Sequence, residues 1–62
     1  MFAIKYNYGE GSFDFKIFET VGAAMVWWSQ YLKASGKLFQ DVLFVIPPGQ
    51  KNPLDWCYKN IA

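Results

Sequence analysis

The chain has 62 residues and a net charge of +1, and it is 53% apolar and 21% aromatic, a composition that excludes disorder and describes one small packed domain. Six lysines with no arginine, against five acidic residues, fall short of the basic footprint of nucleic-acid or anionic-membrane binders. With no histidine and one cysteine, Cys57, neither an internal disulfide nor a zinc set can form; a chain that buries only roughly 60% of its unfolded surface is therefore expected to draw stability from a second subunit.

Residues 2–8 alternate, with Phe2, Ile4, Tyr6 and Tyr8 on one face and Ala3, Lys5 and Asn7 on the other. This is the pattern of a half-buried strand. After Gly9-Glu10-Gly11 a second alternation over 12–18 sets Phe13, Phe15 and Ile17 against Ser12, Asp14 and Lys16. If both apolar sets share a face, the hairpin has either a four-residue loop, which opposes Lys5 to Lys16, or a two-residue Gly9-Glu10 turn, which opposes Lys5 to Asp14 and Tyr6 to Phe13. Charge pairing and a glycine at the first central position of a type II′ turn favour the shorter loop.

Thr20 suits a helix N-cap and Gly36 a C′ glycine, with Lys33 and Lys37 near the C-terminal end, so a helix is predicted over 21–35. At 100° per residue its apolar stripe centres on Trp28, with Val21, Ala24, Met25, Tyr31, Leu32 and Ser35 within about 60° on either side. Trp27 falls about 100° away, on an uncharged flank with Ala23, Gln30 and Ala34, and Val26 just beyond. Two neighbouring tryptophans cannot both point into one small core. Trp27 is thus expected at an interface, the competing reading being a peripheral contact with the loop from Gly36 to Phe39 or with the C-terminal helix.

A third strand is predicted over 38–46 (LFQDVLFVI), ended by Pro47-Pro48-Gly49. The right-handed crossover rule lets it run parallel to the second strand and sit beside the first, which gives the order 2-1-3 with antiparallel neighbours. It then forms an apolar edge that needs a cover. Asn52-Pro53 opens a short helix over 53–60, and Leu54, Cys57, Tyr58 and Ile61 recur at helical spacing from there. The expected architecture is a single α+β domain, β-β-α-β(-α), with a three-stranded antiparallel sheet packed on one main helix.

Catalysis needs a nucleophile with a base, paired carboxylates or a metal cluster. None is assembled by these spacings, Cys57 reads as a small core residue, and neither an enzyme nor a cofactor is expected. Gly9-Glu10-Gly11 lacks the helix N-terminus that a phosphate loop requires. Lys5 and Lys16, with Phe18, read as one outward face on which bases could stack. This makes a nucleic-acid-binding regulator the alternative function. The surplus of apolar and aromatic surface carries the main reading: Trp27, Val26, Ala23, Gln30, Phe18, Leu43, Val45 and Trp56 are the candidate interface residues, toward a protein partner or a homodimer.

The order of an aromatic hairpin, the stretch Phe18-Glu19-Thr20, an alanine-containing helix and a strand ending in proline resembles the β-β-α-β layout of small phage-encoded inhibitors, over residues 2–48. The resemblance implies a non-catalytic protein that blocks a host or defence enzyme by stoichiometric binding, an anti-defence role. No apolar run reaches the roughly 20 residues of a membrane span and no leader pattern is present, so the expected location is the cytoplasm, that of a bacterial host if the chain is phage-encoded.

Overall fold

The alternating segments form strands β1 (Phe2–Gly9) and β2 (Ser12–Phe18), paired antiparallel. In the computed structural model, which describes residues 1–9, 11–31 and 38–61, these are followed by α1 (Val21–Tyr31), α2 (Phe39–Val42), β3 (Leu43–Val45) and α3 (Pro53–Asn60). β3 pairs antiparallel with β1, and the sheet order is β2-β1-β3. The result is a small α+β fold with the expected strand order.

The hairpin register differs from both expected ones. Lys5 stands opposite Phe15, Ile4 opposite Lys16 and Tyr6 opposite Asp14; a bulge between Asn7 and Gly9 then shifts the ladder, so that Gly9 faces Ser12. The left-handed φ falls on Gly11, at 70°, rather than on Gly9. Residues directly opposite each other point to the same side of a sheet, so the bulge has a large effect. Phe2, Ile4 and Tyr6 project from one face, and Phe13, Phe15 and Ile17 from the other. The expectation that the two apolar sets share a face is corrected here. Tyr8, the extra residue, offsets one strand by a single position, which inverts every side chain relative to its partner strand and keeps Lys5 away from both Lys16 and Asp14.

A sheet that is apolar on both faces must be covered on both. α1 covers the first face, where Ile4, Ala24, Trp28 and Val42 form a buried cluster flanked by Tyr6, Phe18, Trp27, Phe39 and Leu43. α3 covers the second, where Ala3, Phe15, Ile46 and Cys57 are buried, with Phe13, Ile17, Trp56 and Ile61 around them. The described residues form two thin cores, one on each side of the sheet.

Helix starts follow the sequence signals. The Thr20 hydroxyl accepts the Ala23 N–H at 3.1 Å, and Asn52 Oδ1 accepts the Asp55 N–H at 3.1 Å, with Pro53 in the first turn of α3. Lys59 and Asp55 pair at 3.2 Å across one turn on the exposed face of α3. Leu32 to Ser35 and the expected cap at Gly36, with Lys33 and Lys37, lie outside the described residues.

The third strand is shorter than expected. Residues 39–42 make a helical turn and only Leu43–Val45 are extended. The reason lies in side-chain parity: in a strand Phe39 and Val42 would point to opposite faces, whereas one helical turn brings i and i+3 together, and both pack on the Ile4–Trp28 cluster. The Ile46 N–H donates to the Met1 carbonyl at 2.9 Å, turning Ile46 into the other core. Brevity and the prolines that follow blunt this edge of the sheet.

Candidate functional site

α1 carries no charged residue from Val21 to Tyr31. Surface helices ordinarily place charged and polar groups on the outer face. Here the outer face holds Val21, Met25 and Val26 at 42%, 54% and 57% exposure, together with the exposed Gly22, Ala23, Ser29 and Gln30. The buried stripe is rotated from the expected one by roughly half of a residue's 100° step. It runs through Ala24 and Trp28 toward Trp27, so Val21 and Met25, expected inside, are exposed.

The rotation has a visible cause. Trp27 meets the Tyr6 ring edge-on at a centroid distance of 5.2 Å and the Phe18 ring, tilted, at 5.8 Å. These two rings offer an apolar seat on the sheet, and the helix turns to use it. Trp27 is therefore half-buried on the face opposite to the one that α3 covers; the expected contact with the loop from Gly36 to Phe39 falls in part outside the described residues. The sequence carried this signal in Tyr6 and Phe18, but only the register shows that they share the face under α1.

The other expected interface residues are dispersed. Ala23, Val26 and Gln30 are exposed on α1, and Phe18 is half-buried beneath it. Leu43 packs beside the Trp28 cluster, whereas Val45, opposite Phe2 on that same face, is 68% exposed. Trp56 belongs to the core on the opposite side. Lys5 and Lys16 do not share a face, because Lys5 opposes Phe15 while Lys16 opposes Ile4.

A groove of about 560 Å³ lies where β1 runs on past β3, lined by Lys5, Asn7, Phe13, Asp41, Val42 and Phe44. The Lys5 ammonium sits 4.6 Å from the centre of the Phe13 ring, a cation–π contact. One cation and one carboxylate on an aromatic floor can hold a ligand. They do not supply a nucleophile with its base.

The outer edge of β2 carries a different arrangement. Asp14 Oδ1 accepts the Phe15 N–H at 2.7 Å and also the Tyr58 hydroxyl from α3. The Tyr58 ring meets Phe15 edge-on at 5.2 Å and Phe13 at 6.4 Å. The Tyr58 hydroxyl first, and then the Phe15 N–H, hold the Asp14 carboxyl below its ordinary pKa. Sequence reading missed this contact, since Asp14 and Tyr58 lie 44 positions apart. The single cysteine, Cys57, is fully buried, and burial pushes its thiol pKa up.

Among the described residues no group of three or more His, Cys, Asp or Glu side chains is placed to hold a metal ion, and no described helix is long and apolar enough to cross a membrane. No protein-family model, curated protein or solved structure matches this chain.

Proposed function

We propose that the protein is a non-catalytic binding module that acts by stoichiometric association with a protein partner through the outer face of α1. The observation that carries this reading is a surface helix without charge whose outer side exposes Val21, Met25 and Val26. Removing such a face from water gains the hydrophobic free energy of three large side chains and desolvates no ion. Val21 and Val26 are β-branched, so these two exposed side chains lose little rotamer freedom on contact. The resemblance that the sequence bears to small phage inhibitors makes a bacterial enzyme the first partner class to test, and inhibition by occlusion the expected mode.

The test is a pull-down from bacterial lysate with the wild-type chain and with Val26→Lys. Val26 is exposed, so the substitution costs less than about 0.5 kcal/mol of stability, while it places a charge in the middle of the proposed contact. Proteins retained by the wild type and lost by Val26→Lys support the reading. Identical retention by both forms refutes it.

A further inference from the structure

The two long edges of a sheet are hazards that proteins blunt by different means. On one side β3 is three residues long and is followed by Pro47. The other side is β2, seven residues, at the end of the order β2-β1-β3. Its sequence, Ser-Phe-Asp-Phe-Lys-Ile-Phe, is self-complementary about its central residue. If two copies of β2 pair antiparallel about a two-fold axis at Phe15, Asp14 of each copy meets Lys16 of the other, twice over. In the same register Phe13 meets Ile17, and Phe15 meets its own counterpart. Moving the axis to Asp14 opposes two carboxylates, and moving it to Lys16 opposes two ammonium groups. Like charges directly opposite destabilise a ladder and opposite charges stabilise it, so only the Phe15 register is favoured.

We propose that the outer edge of β2 is a pairing surface for a second copy of this chain, and that Tyr58 holds it shut in the single copy by engaging Asp14. The closure is visible in the structure. The Asp14 carboxylate that the pairing needs is occupied by the Tyr58 hydroxyl and the Phe15 N–H, and the Tyr58 ring lies against Phe13 and Phe15. Lys16, the complementary group, is exposed. Opening the edge means turning Tyr58 away and releasing the Phe15 N–H to the facing strand, after which Asp14 exchanges both donors for the ammonium of the second copy. Two three-stranded sheets then become one of six strands with isologous symmetry. This surface is separate from the outer face of α1, and the inference stands or falls independently of the binding role assigned to that helix.

The test is self-association measured by light scattering across a dilution series, with far-UV circular dichroism as the check on folding. Tyr58→Phe keeps the ring and removes the hydroxyl; it is expected to tighten self-association at least tenfold over the wild type, and Lys16→Asp in the same background is expected to abolish that gain. A charge exchange probes the register without touching Tyr58. Asp14→Lys alone sets lysine against Lys16 and is expected to stay monomeric, whereas Asp14→Lys with Lys16→Asp restores opposite charges and is expected to dimerise. Unchanged association in Tyr58→Phe overturns the closure. A gain that survives Lys16→Asp, or equal behaviour of the single and double charge variants, overturns the pairing surface. A dimer abolished by Val26→Lys and untouched by Lys16→Asp would place self-contact on α1 and overturn it as well.

Discussion

Replacing Trp28 by alanine should remove most of the stability of this protein. Trp28 is only 9% exposed and sits in the cluster with Ile4, Ala24 and Val42. A tryptophan buries up to about 250 Å²; losing on the order of 150 Å² of that burial at about 25 cal/mol per Å² costs about 4 kcal/mol, within the usual range of about 3–5 kcal/mol for such truncations. A chain of 62 residues has a total stability of only about 3–9 kcal/mol. The variant should therefore be largely unfolded or show a greatly lowered urea midpoint by far-UV circular dichroism. Trp27→Ala is the control, because it removes a half-buried ring and two aromatic contacts worth about 0.5–1.5 kcal/mol each. Its loss should be measurable and clearly the smaller of the two. If Trp28→Ala costs less than about 1 kcal/mol, or Trp27→Ala costs more than Trp28→Ala, the orientation of α1 described above is refuted.

Two other predictions concern titratable groups. The folded-state pKa of Asp14 is depressed, so its contribution to stability is complete above the unfolded carboxylate value of about 3.9 and disappears as pH falls through the lower folded value. Melting temperatures of the wild type and Asp14→Asn should differ near neutrality and converge in strong acid, and a constant difference across that range would count against the contact with Tyr58. Cys57 is fully buried and its thiol pKa is raised, so a thiol reagent should modify it only as the protein unfolds, with labelling that tracks the urea transition; rapid labelling of the native protein would contradict the second core.

Local signals were legible because they depend on neighbours in the chain. The alternation in β1 and β2, the Thr20 cap, the Asn52-Pro53 start of α3 and the apolar run in β3 each depend on a few adjacent residues, and the strand order is one that the crossover rule allows. The candidate site was legible only in part. An uncharged helix with surplus apolar surface could be read from Val21 to Tyr31, but which of its residues face outward could not, because the helix wheel has no origin until Tyr6 and Phe18 fix one.

What the sequence by itself determined is three strands, a main helix and a C-terminal helix in chain order, without the helical turn at Phe39–Val42. The tertiary structure decided which face each strand presents. A strand has a period of two, so the single extra residue at Tyr8 moves Phe13, Phe15 and Ile17 to the far side of the sheet, and nothing in the alternation reports that offset. From that one step follow the second core under α3 and the separation of Lys5 from Lys16. The same packing sets the turn at Phe39–Val42, where two side chains of opposite strand parity both reach the Trp28 cluster. Contacts between residues far apart in the chain, Asp14 with Tyr58 above all, exist only once that packing is fixed.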